Sequence, residues 1–292
     1  MSGEGSFPTR FGTVAIVGVG LMGGSLGLAL RQRRLAHRVI GVGRDAGRLA
    51  TAVSLGAIDT FQTDIAAGVA DADVVVLCST IGHILEILPG VLKAVKPGAI
   101  VTDVGSTKTT IVEAAGDFPR FVGSHPMAGS ERGGVEAATA LLYQEATWAI
   151  TPTDTTDPVA LRGVTALAQE VGATTLLLDP KAHDAMVAVT SHLPHVLATS
   201  LMRSAATAAR RLPQTPRLSA GSFADMTRVS ASPAPIWRDI CLTNKNAVLA
   251  AIAEFRGELN ALEQAIADGD AEKIEDLFAG GAETKEAWGA GR

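Results

Sequence analysis

Val14-Ala15-Ile16-Val17-Gly18-Val19-Gly20-Leu21-Met22-Gly23-Gly24-Ser25-Leu26 decides the fold of this chain. Residues 14–17 form a short apolar run rich in β-branched side chains, the pattern of a buried parallel strand. Gly18, Gly20 and Gly23 follow at G-x-G-x-x-G spacing, and residues 21–34 carry apolar side chains at helical spacing. Strand, glycine turn and helix, in that order, is the setting in which this motif receives a dinucleotide. Gly18 allows the tight turn, Gly20 lets a pyrophosphate approach the backbone, and Gly23 lets the helix pack on the strand. The free N–H groups of the first helical turn, beginning at Leu21 and Met22, then face the anion. A glycine-rich turn without a ligand is the alternative, and the βαβ setting weighs against it.

Working outward, residues 38–42 read as the second strand. The place that in NAD-specific folds carries an acidic ribose ligand holds Gly43, followed by Arg44. Glycine leaves room for a 2′-phosphate and Arg44 can pair with it, helped by Arg48 one helical turn later, so NADP is favoured over NAD. In the competing reading Arg44 and Arg48 are solvated surface charges and Asp45 binds the ribose of NAD. Residues 46–55 read as a helix and 73–78 as a strand. Ser79 and Thr80 then lie at the carboxyl edge, where cofactors bind in such sheets. A helix over 83–95, containing Pro89, leads to a strand over 99–103.

That strand runs into Asp103-Val104-Gly105-Ser106-Thr107-Lys108. Ser106 is placed to cap a helix over 107–115, and its hydroxyl also reaches the sheet edge where a nicotinamide would sit. A short strand over 120–123 precedes His125-Pro126-Met127-Ala128-Gly129-Ser130-Glu131. Position alone leaves His125 open to a structural or a catalytic role. As a catalyst it is the group of near-neutral pKa that a dehydrogenase needs to accept an alcohol proton, with Ser106 orienting it.

A strand over 147–151, a helix over 160–171 and a strand over 174–178 complete the first half. From Lys181 onward only helices are read. The expected division is therefore 1–179, a Rossmann-type dinucleotide-binding domain in an α/β fold, and 180–292, an all-α domain. Helices are expected over 181–193, broken or kinked by Pro194, then over 195–209 and 237–267, with a short last one over 271–278 and a frayed tail after Gly280. The alanine-rich helix over 195–209 has little charge before Arg203, which suggests that a partner chain covers it.

The 292 residues suffice for two domains, and a net charge of −5 without a basic block argues against a nucleic-acid binder. Cys78 and Cys241 are far apart and form no disulfide framework or zinc spacing. No signal peptide and no uninterrupted membrane-spanning run is read, so a soluble cytoplasmic protein is expected. His192 and His195 lie three apart, but no further ligands cluster with them, and no metal is expected. Arg228, among small and polar residues, is a candidate fork for a substrate carboxylate.

Taken together, Gly18 to Leu26, Asp103 to Lys108, His125 to Glu131, Ser191-His-Leu-Pro-His195, and Asp225-Met-Thr-Arg228 with Trp237-Arg-Asp239 resemble the prephenate/arogenate dehydrogenase family of tyrosine biosynthesis. The resemblance spans nearly the whole chain in order, and the two histidine segments are its specific part. It implies oxidative decarboxylation of prephenate to 4-hydroxyphenylpyruvate, or of arogenate to tyrosine, with NAD or NADP. It further implies His125 as the group that takes the proton of the ring C4 hydroxyl, with Ser106 orienting it, and Arg228 on a substrate carboxylate. His195 and Ser191 would line the pocket, with Ser130 near it. Glu131 and Asp225 would form an ion-pair network with Arg228, Asp225 coming from the other subunit of a homodimer joined through the helical domain. The rivals are a dehydrogenase of β-hydroxyacid or imine-reductase type, whose helical-domain lysine motif is not found here, and a non-catalytic dinucleotide sensor, which would have no need of Ser106, His125 and Arg228 together.

Overall fold

The computed structural model describes residues 11–130 and 132–289. The chain forms two compact units, Met1–Lys245 and Asn246–Arg292. The first is built on one eight-stranded sheet: β1 (Phe11–Val17), β2 (Ala36–Val42), β3 (Thr60–Gln62), β4 (Val74–Leu77), β5 (Ile100–Asp103), β6 (Phe121–Pro126), β7 (Thr147–Thr151) and β8 (Thr174–Leu177). The order across the sheet is β3-β2-β1-β4-β5-β6-β7-β8. All pairs are parallel except β6 with β7. The chain winds outward from β1 to β3, returns to the other side of β1 as β4, and winds outward again. That reversal opens the crevice at the carboxyl ends of β1 and β4.

The crossover helices are α1 (Leu21–Gln32), α2 (Ala46–Ser54), α3 (Ile65–Val69), α4 (Ile81–Ala94), α5 (Thr109–Ala115) and α6 (Pro158–Glu170). They cover both faces of the sheet, so its central strands are buried on both sides. Val74–Leu77 and Ile100–Asp103 are buried at every position; the first reads as a continuous apolar run for that reason, while the second buries two polar residues, Thr102 and Asp103, at its carboxyl end. One core cluster joins Val14, Ile16, Leu26 and Leu30 to Trp148 and Leu167. The other, on the opposite face, joins Val17, Val75, Leu88 and Ile111.

After β8 the chain is helical: α7 (Pro180–Val187), a π-helical turn Ala188–His192, α8 (Leu193–Arg211), α9 (Gly221–Thr227) and α10 (Ala234–Thr243). The second unit holds the body of α11 (Lys245–Asp268) and α12 (Ala271–Gly289), joined at Gly269 with φ +66°.

Several expectations are corrected. Strands end near 180, as expected, and α7 is tied to the sheet edge: Asp184 accepts hydrogen bonds from the backbone N–H groups of Lys108 and Thr109. The helix expected over 237–267 is two helices, interrupted at Asn244, whose side chain donates inward to the Asp184 carbonyl at 2.7 Å. Pro194 does not break the chain's helical course. The wider π-turn ahead of it absorbs the missing N–H, and helix continues to Arg211. The last helix runs to Gly289 rather than ending near 278. The helical run Pro180–Arg211 is also, by length and composition, long and apolar enough to cross a membrane, its most apolar 18-residue window having a mean hydropathy of 1.2.

Candidate active site

The glycine loop connects β1 to α1 at the crevice. Gly18 has φ +98°, and a Cβ there would stand 2.6 Å from the Cys78 carbonyl oxygen. A Cβ on Gly23 would collide with the Gly18 carbonyl oxygen and with Ile16. At Gly20 the result is the opposite: a Cβ would meet open space. Gly20 is also the N-cap of α1 and brings no side chain to it, and the first turn carries no acid. Leu21 and Met22 therefore stand at a helix N-terminus that no side chain of its own caps. The two hindered glycines shape the loop and the open one leaves room for a ligand, which fits a dinucleotide pyrophosphate. Tyr143 steadies the arrangement by donating from its hydroxyl to the Met22 carbonyl at 2.7 Å.

At the end of β2, Arg44 is exposed and has no ion pair among the described residues. Asp45 is engaged at the N-terminus of α2, accepting from the Arg48 N–H at 3.0 Å and lying 3.6 Å from the Arg48 guanidinium. Ser79 and Thr80 follow β4, and Thr80 is the N-cap of α4. One N–H of that helix's first turn is met from α10: Gly82 donates to Asp239 at 3.1 Å.

His125 lies within β6, not after it. Antiparallel pairing with β7 carries the strand on through His125 and Pro126, opposite Ala149 and Trp148. Beneath it is a fully buried polar knot. The Lys108 ammonium pairs with the Asp103 carboxylate and donates to the Ser124 carbonyl at 2.8 Å. Asp103 also accepts from the N–H groups of Gly105 at 2.8 Å and Ser124 at 3.1 Å. The Ser124 hydroxyl accepts from the Trp148 indole at 2.9 Å.

Ser106 does not cap α5. That helix starts two residues later than expected, and the Asp184 carboxylate from α7 caps it. Ser106 is half-buried with no side-chain hydrogen bond among the described residues. The partner that the structure gives His125 is instead His183, whose Nε2 lies 3.0 Å from the His125 Nδ1. On its far side, His183 Nδ1 lies 2.9 Å from Asp184. Desolvation holds the His125 imidazolium well below the usual histidine range, and the positive ends of His183, Lys108 and His192 add to that. Burial pushes the Asp184 carboxyl up, but the hydrogen bonds from His183, Thr109 and Lys108 outweigh it, and the net shift is downward.

The polar chain continues past Asp184. Asn244 bonds His192 Nδ1 at 3.2 Å. His192 is buried, and desolvation holds it down at about 4. Trp237 stands edge-on to His192 and stacks face-to-face on His195, with ring centroids 3.7 Å apart. The His195 Nδ1 bonds the Ser191 carbonyl at 2.9 Å. Burial lowers the His195 pKa against the opposing hydrogen bond to Ser191, and the Arg228 charge adds to the lowering. Arg228 is exposed at the end of α9, and neither it nor Asp225 has an ion pair among the described residues of a single chain. Ser130 is exposed beyond β6, accepting from the Arg132 N–H at 3.2 Å. Glu131 lies outside the described residues.

One continuous set of contacts thus joins His125, His183, Asp184, Asn244, His192, Trp237 and His195. His183, Asp184 and Asn244 lie in no motif, and Lys108 ends the Asp103–Lys108 segment without a role read for it. On α7, His183 and Asp184 are buried together with Pro180 and Val187, while Met186 is 52% exposed.

The nucleotide-binding domain model of prephenate dehydrogenase matches residues 26–177, and the dimerization domain model of the same enzyme matches 179–280. The chain is 33% identical over 271 residues to a prephenate dehydrogenase of Bacillus subtilis, covering 91% of this chain and 73% of that one. It is 34% identical over 283 residues to a cyclohexadienyl dehydrogenase of Zymomonas mobilis, covering 92% and 94%. A crystal structure of prephenate dehydrogenase from A. aeolicus, in complex with hydroxyphenyl propionate and NAD+, superposes with a TM-score of 0.86 at 32% identity, covering 96% of this chain and all of that one. Synechocystis arogenate dehydrogenase gives a TM-score of 0.82 at 30% identity, covering 94% and 99%. With both halves of the sequence matched in order, this chain belongs to the prephenate dehydrogenase family.

Proposed function

We propose that this protein oxidatively decarboxylates prephenate to 4-hydroxyphenylpyruvate, or arogenate to tyrosine, in tyrosine biosynthesis. The observation that carries this reading is His125. It sits at the carboxyl edge of a dinucleotide-binding sheet, hydrogen-bonded through Nδ1 and held unprotonated by burial. The nicotinamide cofactor, when bound, supplies the hydride acceptor. His125 takes the proton of the ring hydroxyl through Nε2, and Ser106, whose side chain has no hydrogen-bond partner among the described residues, offers a hydroxyl to the same group. Arg228 binds a carboxylate of the substrate beside His195, whose ring is fixed by Trp237. Ser191 lines the pocket with His195, and Ser130 lies near it. Loss of the ring carboxylate as carbon dioxide leaves an aromatic product, so the residues' task is positioning plus one base of suitable pKa.

NADP is the proposed cofactor. Gly43 leaves space for a 2′-phosphate, Arg44 is unpaired among the described residues, and Asp45 is occupied at its helix cap. Ser79 and Thr80 complete the cofactor site at the adjoining strand end. The proposed assembly is a homodimer through the helical half, in the cytoplasm, without nucleic-acid or membrane partners. The exposed Leu201 and Met202 of α8 and Met226 of α9 support it. A second copy is then what covers the apolar run of α8, and Asp225 of the partner completes the ion-pair network at Arg228. The domain division near residue 180 belongs to the same proposal.

Replacing Arg228 with alanine is expected to raise KM for the substrate by about 10-fold or more, the worth of a charge-assisted hydrogen bond, while leaving kcat within a few-fold. Steady-state kinetics at saturating cofactor reads this out. An unchanged KM removes the carboxylate role.

A further inference from the structure

We propose that His183, backed by Asp184, is a positioning residue that fixes the tautomer of His125 so that its Nε2 is unprotonated toward the substrate. The inference rests on His125 being the base of the proposed reaction. Its argument starts at Asp184. Both carboxylate oxygens are committed as acceptors, one to the Lys108 N–H at 2.7 Å and the other to the Thr109 N–H at 2.9 Å. An ionised carboxylate accepts only, so the His183 Nδ1, 2.9 Å away, must carry the hydrogen. A neutral imidazole that donates from Nδ1 accepts at Nε2. The His125 Nδ1 faces that Nε2 at 3.0 Å and is therefore the donor. His125 is left with its lone pair on Nε2, the form that can take a hydroxyl proton.

The chain of donors runs one way because it is anchored at the cap of α5. The two rings meet edge to face, at 69°, with centroids 5.2 Å apart, so a lone pair of one ring meets an N–H of the other without stacking. The charged or titratable groups around the pair are Asp184 on the same helix, Lys108 ahead of α5, and His192 in the π-turn. His183 is 1% exposed and does not reach solvent to exchange its role. When His125 accepts the substrate proton, it becomes the imidazolium and still donates from Nδ1 to His183, with the Asp184 charge behind. No proton needs to leave the chain in that step.

Two substitutions separate positioning from structure. In His183→Asn the amide can still donate to Asp184 but does not reach His125. In His183→Gln the amide oxygen can reach the Nε2 position and accept from His125. His183→Asn is expected to lower kcat by roughly 30-fold or more, to leave KM for substrate and cofactor within about two-fold, and to change the acid limb of the pH–kcat profile. His183→Gln is expected to recover most of the loss. A His183→Asn enzyme with kcat within two-fold of the unmodified one and an unmoved pH profile overturns the proposal, provided that His125→Asn is inactive. If His125→Asn is itself active, the base assignment fails instead.

Nitrogen-15 correlation spectra of the imidazoles give a readout that does not depend on activity or on a variant's stability, since the chain has only six histidines. His125, assigned by its disappearance in His125→Asn, is expected as the Nδ1–H tautomer in the unmodified protein. Finding it as Nε2–H overturns the proposal.

Discussion

Replacement of His125 by asparagine is expected to lower kcat by about two orders of magnitude or more, the usual worth of a positioned general base. Asparagine keeps a polar group near the Nδ1 position, so the contact at 3.0 Å to His183 can be retained while the base is lost. The effect should therefore fall on kcat, with KM for substrate and cofactor little changed. The pH dependence follows from the direction of the shift. Burial holds the His125 imidazolium well below 6.5, so the neutral base persists as pH falls through 6.5. The acid limb of kcat/KM in the unmodified enzyme should lie below that value, and it should be absent from whatever rate the variant retains. A variant with near-normal kcat removes the base assignment.

Replacement of Lys108 by methionine is expected to destabilise the protein by about 3–5 kcal/mol, the cost of leaving a buried charge without its partner. Lys108 and Asp103 are both fully buried, and the ammonium is shared between the Asp103 carboxylate and the Ser124 carbonyl. Methionine fills a similar volume but leaves the Asp103 carboxylate with backbone N–H donors alone. The midpoint of thermal unfolding should fall by roughly 10 °C or more. A loss of less than about 1 kcal/mol would mean that Asp103 is protonated or reached by water, and that the knot does not support the His125 strand.

The glycine loop, the Rossmann-type sheet and the helical second half could be read from sequence because their signals are local. Strands buried on both faces need continuous β-branched runs, and a tight turn against backbone needs glycine, as the Cβ collisions at Gly18 and Gly23 demonstrate. β3 went unread because it is three residues long and open to solvent at both ends. The interruption at Asn244 was also hidden. It comes from a side chain drawn inward to Asp184, 60 residues away in sequence, rather than from a local breaker.

The site divides in the same way. His125 is marked by its strand end and its Pro126 neighbour. Its partner His183 is 58 residues distant, on a helix that buries His183 and Asp184 beside Pro180 and Val187 and exposes Met186. A search for apolar periodicity passes over the two polar members of such a face. Ser106 shows the converse. Its place before a helix suggested a cap, yet the cap came from Asp184 across the fold. Local sequence names a residue able to cap, and only the tertiary contact decides which one does.

The most direct test of the proposed activity is the initial rate of reduced-cofactor formation with prephenate and with arogenate, each in the presence of NAD and of NADP. Turnover of at least one of the two substrates is predicted, with a higher kcat/KM for NADP than for NAD. No turnover in any of the four combinations, by protein that still binds the dinucleotide, would contradict the account.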